Sequence, residues 1–167
     1  MKNLRIAAWI GFALVAGVIF YLTTQTPEAT IQASRWAAEH LPSFLIEPKW
    51  PDGSVLLTAR QMAHIYQFFV LGLCAALAML GCTRISPAAR ALSAAAICLV
   101  CSLADQTHKL FVPGREFDGR DLALDAVGYC AAVAFIFFIR WLIVRKRKQS
   151  REKAVPDDPQ APVPPSV

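Results

Sequence analysis

Hydrophobic residues are concentrated in four long runs, and polar residues fill the segments between them. A helix needs about 20 residues to cross the roughly 30 Å of hydrocarbon in a bilayer. The pattern therefore predicts an all-α integral membrane protein, a bundle of four transmembrane helices. The predicted spans are residues 4–22, 61–81, 87–105 and 121–144. We predict one transmembrane domain over residues 1–148 and a disordered cytoplasmic tail over residues 149–167, since the end of the chain is rich in proline.

The composition supports a membrane protein. Of the 167 residues, 56% are hydrophobic, and a mean hydropathy of +0.43 is high for a soluble domain of this size. The net charge of +5 does not indicate nucleic-acid binding, because the basic residues cluster beside the predicted spans. The predicted environment is a lipid bilayer, and no nucleic-acid partner is expected.

Basic residues also predict the orientation of the bundle. They are Lys2 and Arg5 before the first span, Arg84 and Arg90 around the second connection, and a run over Arg145–Lys153 after the fourth span. Cytoplasmic segments carry an excess of lysine and arginine. We therefore expect both termini and the second connection on the cytoplasmic side, and the other two connections outside.

Two helix signals stand out in the connections. Glu28–His40 has helical composition and predicts a short interfacial helix after the first span. Ser86 followed by Pro87 is typical of an N-cap and first helical residue, so the third span is expected to begin there.

The cysteines do not indicate a redox, metal or cofactor site. Cys98 and Cys101 form a C-x-x-C motif, but they lie in the middle of the predicted third span. A thiolate is disfavoured in hydrocarbon, so packing as small apolar residues is the expected role. Neither a metal nor a cofactor is predicted.

Ionisable residues interrupt the apolar pattern between residues 105 and 128. Such groups are costly at membrane depth and usually face a partner or a wet cavity. The second, third and fourth spans all reach the same predicted outer side, so their polar residues can converge in an outer-face site. The candidate catalytic residues are His64, Asp105, His108 and Asp125, and the candidate ligand-binding residues are Arg115, Asp121, Gln67 and Gln106.

Simpler roles are also open for some of these residues. Asp121 suits the N-cap of the fourth helix. His64 alone could be a satisfied interfacial histidine. Lys109 is expected on a solvated loop face together with its charged neighbours Glu116, Asp118 and Arg120.

Asp125 has no capping role, because it lies one turn inside the fourth span, and it must therefore find a donor. The expected partners are His64, His108 and Arg115. Arg115 follows a Pro-Gly turn, and it suits either an ion pair with Asp105 or Asp121 or bidentate binding of a phosphate.

These residues resemble a family signature. The stretch SLADQTHKLFVPGREFDGRDLALDAVG, residues 102–128, is similar to that of VanZ-like membrane proteins, roughly D-E-x-x-Q-x-F-x-P-x-R followed by D-x-x-x-N-x-x-G. RQMAHIYQFFVLG, residues 60–72, resembles a second motif with a basic residue, H-x-x-E-Y and Leu-Gly. TTQTP, residues 23–27, resembles a Ser-Ser-Gln-Pro motif. The matching residues are His64, Leu71, Gly72, Asp105, Phe111, Pro113, Arg115, Asp121 and Gly128.

The chain departs from this pattern at several polar positions. Gln67 and Gln106 stand where glutamate is usual, Lys109 stands for glutamine, and Asp125 stands for asparagine. If the family uses those glutamates for acid–base chemistry, this chain lacks them, whereas amides can still serve a binding site. The departures favour binding over catalysis.

The resemblance implies a bacterial inner-membrane protein of the cell envelope, whose founding relative is linked to resistance to the glycopeptide teicoplanin. The first hypothesis is a non-enzymatic protein that binds a lipid-linked or cell-wall component, or a membrane partner, at the outer-face site. The alternative is a small membrane enzyme acting on a lipid headgroup, with His64 or His108 as general base and Arg115 as anion clamp. Metal binding is disfavoured, because no tight ligand motif is present.

Overall fold

The computed structural model of the protein describes residues 2–49 and 52–154. Within these residues the chain is helical, with no strand and one isolated bridge between Lys49 and Val55. The described helices are α1 (Lys2–Thr23), α2 (Pro27–His40), α3 (Ser43–Ile46), α4 (Ala59–Leu80), α5 (Pro87–Lys109) and α6 (Gly119–Ala154).

Four of these helices are long and apolar enough to cross a membrane. Their candidate spans are Asn3–Thr23, Ala59–Leu80, Pro87–Lys109 and Gly119–Ser150. Large apolar side chains on their surfaces remain exposed, including Leu14 at 67% and Leu92 at 73%. An exposed apolar surface on helices of this length is typical of contact with lipid. The prediction of an all-α, multi-pass membrane protein is confirmed.

Local capping sets where α4 and α5 begin. Thr58 and Gln61 form a capping box: the Thr58 side chain accepts from the Gln61 backbone, and the Gln61 side chain accepts from the Thr58 backbone at 2.9 Å. In α5 the Ser86 hydroxyl accepts from Ala89 N at 3.2 Å, as the sequence predicts. The predicted interfacial helix is α2, which ends at His40.

The structure changes the predicted bounds of α5 and α6. α5 continues four residues beyond Asp105, to Lys109. α6 begins before Asp121, because the Asp118 side chain accepts from Arg120 N at 2.8 Å. The predicted capping role of Asp121 is therefore taken by Asp118, and the Asp121 side chain is available for other contacts.

Residues 149–154 also differ from the prediction. The predicted tail includes them, but they form the end of α6. Residues 149–155 contain no proline, and they are rich in good helix formers, so the helix can continue. The rest of the predicted tail, residues 155–167, lies outside the described residues.

α4 is the central helix of the unit formed by residues 2–137. It packs against α1, α5, α2 and α3. Two glycines let α6 approach it: a β-carbon on Gly72 would lie 2.9 Å from Ala132 Cβ, and one on Gly128 would overlap the Ile65 carbonyl oxygen. This close approach brings the first turns of α4 and α6 side by side. The buried core residues are Ile19, Phe68, Leu71, Ala75, Ala76, Ala94, Cys98, Tyr129 and Val133.

The unit that begins at Phe138 contains the rest of α6. Phe138 and Trp141 stack with ring centroids 6.0 Å apart, and the Arg145 guanidinium lies 5.2 Å from the Trp141 ring. Aromatic and basic side chains in succession are typical of a membrane interface.

Candidate functional site

Charged and polar side chains from four helices meet where α1 and α5 end and where α4 and α6 begin. We call this the polar end of the bundle. Most of the side chains that meet there are buried, although none of their helices is polar overall. The set, called the polar network below, consists of Thr23, Arg60, His64, Ser102, Asp105, Gln106, Lys109, Asp121 and Asp125.

Asp125 is fully buried, and both of its oxygens are bonded. Oδ1 lies 2.8 Å from His64 Nδ1, and Oδ2 accepts from the Ser102 hydroxyl at 2.6 Å. The helical geometry of α6 places Asp125 one turn after Asp121, on the same face, opposite α4. His64 is one of the three partners that the sequence predicts for Asp125.

Asp121 is an ion-pair centre. Its Oδ2 atom accepts from Arg60 Nη2 at 2.8 Å and from Lys109 Nζ at 2.9 Å, and it lies 3.2 Å from His64 Nε2. One carboxylate oxygen thus links α4, α5 and α6. The expectation that Lys109 lies on a solvated loop face is wrong: its side chain is 2% exposed, because the extension of α5 turns it into the bundle.

Asp105 connects α1 to this centre. It accepts a hydrogen bond from the Thr23 hydroxyl, and its Oδ2 atom lies 3.9 Å from Lys109 Nζ. Lys109 also donates to Gln106 Oε1 at 3.0 Å. Gln106 is fully buried, and its Nε2 atom has no hydrogen-bond acceptor among the described residues.

The His64 ring bridges Asp121 and Asp125, with one nitrogen facing each carboxylate. An ionised carboxylate can only accept, so both ring nitrogens donate when both acids are ionised. The polar network then contains three cationic side chains and three carboxylates and is neutral. In this state His64 has no free lone pair and cannot act as a base.

Arg115 lies beside the polar network but outside its ion pairs. Its Nε donates to the Gln25 carbonyl at 2.9 Å, and its Nη2 donates to the Thr30 hydroxyl. Among the described residues no carboxylate is within ion-pair distance of it, so the predicted pair with Asp105 or Asp121 is absent. Burial, and next the charge of Arg60, lower the pKa of Arg115 from its usual value.

Two other candidates lie apart from the ion pairs. His108 packs edge-on against Phe20 of α1, with ring centroids 5.9 Å apart, and its buried Nδ1 has no hydrogen-bond partner among the described residues. Gln67 lies one turn after His64 and faces a cavity. The polar network therefore contains five of the eight candidates. Gln67 and Arg115 line the adjacent cavities, and His108 lies outside the network.

Two cavities open at the polar end. The open cleft, about 670 Å³, lies between α2, the start of α4 and the α5–α6 connection. The side pocket, about 250 Å³, lies between the ends of α1 and α5 and the starts of α2 and α4, and His64, Gln67 and Asp105 line it. Arg60, Lys109 and Arg115 line both cavities. Of these three cations, Arg60 and Arg115 are exposed enough for a ligand to reach, whereas the Lys109 side chain is buried.

No set of side chains suited to hold a metal ion occurs in residues 2–49 and 52–154. The cysteines in this part of the chain are all free thiols. Burial fits the predicted packing role of Cys98, which lies in the core.

The sequence profile of the VanZ/LLP1 family matches residues 8–143, which is most of the chain. The chain belongs to the VanZ/LLP1 family. No curated protein and no solved structure matches it significantly. The matched range covers most of α1, all of α2 to α5 and the greater part of α6, including every member of the polar network.

The motifs that resemble VanZ-like proteins have three kinds of roles in this VanZ/LLP1 member. Gly72 and Gly128 allow α4 and α6 to approach each other. Asp105, His64 and Asp121 belong to the polar network. The remaining polar match, Arg115, lines the cavities instead.

Four members of the polar network were not among the sequence candidates: Thr23, Arg60, Ser102 and Lys109. Lys109 carried a usable signal, since it follows Asp105 by four residues and shares its face once α5 extends. Arg60 occupies the basic position of the VanZ-like motif, four residues before His64. Thr23 and Ser102 carry little signal of their own, because a single hydroxyl in an apolar helix is common.

Proposed function

We propose that this VanZ/LLP1 member binds an anionic component of the bacterial cell envelope at its polar end, on the outer side of the inner membrane. The observation that carries the proposal is the environment of the Arg115 guanidinium. Among the residues that the structure describes, this guanidinium is bonded only to neutral oxygens, and it lines both cavities. Arginine binds phosphate and carboxylate groups bidentately, so an anion in the cavity would complete its bonding.

The charges around the site support an anion rather than a cation. The polar network is neutral when His64 is protonated. Its carboxylates therefore leave the positive charge of Arg115 unbalanced. Arg60 is half exposed and lines the same two cavities, so two guanidinium groups face the same space. The acidic residues of the open cleft, Glu47, Glu116 and Asp118, line only that cavity. The binding point is therefore expected at the arginines.

The predicted location of the site, on the outer face of the inner membrane, suggests what binding would do for the cell. A protein that occupies or shields an anionic group of the envelope would change how the cell responds to a glycopeptide antibiotic. This extends to the present chain the link with teicoplanin resistance that the resemblance implies. A membrane-protein partner carrying the same anionic group would be held in the same way.

The test uses Arg115→Gln and, as a matched control, Arg120→Gln. Arg120 is exposed at the start of α6 and lines neither cavity. The purified protein in dodecyl maltoside is titrated with dihexanoyl phosphatidic acid, and binding is read from the rise in unfolding temperature. We expect Arg115→Gln to weaken binding about tenfold or more, the value of one charge-assisted pair, and Arg120→Gln to leave it unchanged. Equal binding by the wild type and Arg115→Gln would refute the proposal.

A second candidate function is catalysis on a lipid headgroup. The observation that favours it is the bond between His64 and Asp125 beside a cavity, an arrangement that enzymes use for proton transfer. Against it, both nitrogens of His64 face carboxylates. Mass spectrometry of lipid extracts from cells with and without the protein separates the two functions: a changed headgroup indicates an enzyme, and unchanged lipids with an altered response to teicoplanin indicate binding.

A further inference from the structure

The open cleft and the side pocket meet at the basic residues of the polar end. They share six lining residues, which are Thr30, Ser34, Ala59, Arg60, Lys109 and Arg115. The two arginines therefore stand at the junction of two cavities rather than at the bottom of one. A ligand held by them can extend in two directions.

The two cavities offer different surroundings beyond this junction. The side pocket has apolar walls, formed by residues such as Leu22, Ala37 and Ile46, above a polar floor. The open cleft instead adds charged side chains, including Arg35 and Glu116, and its volume of about 670 Å³ is typical of a site for a small polar molecule. An apolar pocket, a basic junction and a polar cleft in succession match the order of groups in a phospholipid.

Arg60 can turn to a ligand without leaving a buried charge unpaired. Its partner, Asp121 Oδ2, also accepts from Lys109 at 2.9 Å and lies 3.2 Å from His64. The Arg60 side chain is 49% exposed, whereas that of Lys109 is 2% exposed. Of the cations around Asp121, Arg60 is therefore the one that can donate hydrogen bonds to both Asp121 and a bound phosphate.

We infer that the site takes a glycerophospholipid-type ligand, with its phosphate between Arg60 and Arg115, its polar headgroup in the open cleft and the first part of an acyl chain in the side pocket. The inference rests on the proposed function, since it names the class of anion that the site binds. The inference excludes a soluble phosphate compound as the natural ligand, because such a compound would leave the apolar side pocket unfilled.

The experiment compares two probes that share a headgroup. Dioctanoyl phosphatidylglycerol carries chains, and glycerophosphoglycerol is the same phosphodiester without them. Each is titrated against the full-length protein in dodecyl maltoside. Dioctanoylglycerol, which has the chains but no phosphate, reports the effect of partition into the micelle. We expect the anionic lipid to bind at least about tenfold more tightly than glycerophosphoglycerol, because burying two methylene groups already gives that factor.

Two adjacent alanines of α2 provide matched variants. Ala37 lines only the side pocket, and Ala38 lines only the open cleft. We expect Ala37→Trp to reduce the affinity for the lipid to that for glycerophosphoglycerol while leaving the latter unchanged. We expect Ala38→Trp to weaken both probes. If either tryptophan variant unfolds at a lower temperature than the wild type, Ala37→Leu and Ala38→Leu replace them.

The outcomes separate this inference from the proposed function. Equal affinity for both probes, lost in Arg115→Gln, would overturn the lipid inference and leave anion binding standing. The lipid could also bind more tightly than glycerophosphoglycerol but lose the same affinity in Ala37→Trp as in Ala38→Trp. That result would place the acyl chain outside the side pocket and would also overturn the inference. Failure of both probes to bind would overturn the inference and the proposed function together.

Discussion

His64 Nδ1 lies 2.8 Å from Asp125 Oδ1, across the interface between α4 and α6. The carboxylate is fully buried, and its other oxygen is bonded to Ser102 of α5. Asp125 therefore joins three helices through two hydrogen bonds. In the VanZ-like pattern this position is an asparagine, which can keep both bonds if its amide donates to the Ser102 hydroxyl and its oxygen accepts from His64.

The first prediction follows from this geometry. Asp125→Asn should lower the free energy of unfolding by only about 1 kcal/mol, because a neutral hydrogen bond replaces a charged one. Asp125→Leu should lower it by about 3 kcal/mol or more, since His64 and Ser102 lose a buried partner. Thermal unfolding of the purified variants in dodecyl maltoside measures the difference. A leucine variant as stable as the asparagine variant would show that Asp125 does not hold these helices together.

The second prediction concerns Lys109 and Asp121, which form a buried ion pair. Lys109→Met should destabilise the protein by about 3 kcal/mol, because it leaves Asp121 and Asp105 with one cation fewer. A double-mutant cycle with Asp121→Asn should give a coupling energy of about 1–3 kcal/mol. The control is the cycle that joins Arg115→Gln to Asp121→Asn. It should be additive to within about 0.5 kcal/mol, since these side chains make no direct contact; strong coupling there would restore the ion pair that the sequence predicts.

The third prediction concerns the close approach of α4 and α6 at Gly128. A β-carbon at this position would overlap the Ile65 carbonyl oxygen, which is backbone and cannot turn away. Gly128→Ala should therefore destabilise the protein by about 2 kcal/mol or more. Gly17→Ala is the matched control: Gly17 is also helical, has open space around it, and should be neutral or stabilising by up to about 1 kcal/mol. Equal effects of the two changes would mean that α4 and α6 are farther apart at Gly128 than they are in this structure.

The fourth prediction concerns orientation. A cysteine in place of Asp52 should react with an impermeant thiol reagent added to intact spheroplasts, because the connection between α1 and α4 is predicted to lie outside. A cysteine in place of Ser150, in the basic end of α6, should react only after lysis. The unmodified chain, with its five native cysteines, gives the background. The reverse pattern of labelling would contradict the predicted topology.

The helices could be predicted from sequence because their signals are local. Runs of apolar residues near 20 in length identify the spans, and Ser86 with Pro87 marks the start of α5. The limits of α6 were harder to predict, since either Asp118 or Asp121 could cap it. Only the hydrogen bond from the Arg120 backbone N–H to the Asp118 carboxylate decides between them.

The convergence of His64, Asp105, Asp121 and Asp125 could also be predicted, because topology places their helix ends together. The pairing within the set could not. Lys109 and Arg115 are both cations near the end of α5, and sequence spacing does not say which of them faces the carboxylates. That choice depends on whether α5 continues to residue 109, and helix ends are set by tertiary contacts as much as by local sequence.

The sharing of Asp121 Oδ2 by three donors has a consequence for how the protein is made. α6 is synthesised after α1, α4 and α5, so every partner of its two carboxylates is already in the chain when α6 enters the membrane. A circular permutation that moved α6 to the front would require both acids to wait in hydrocarbon without donors. In the natural order of the helices, both acids meet their donors as soon as α6 enters the membrane.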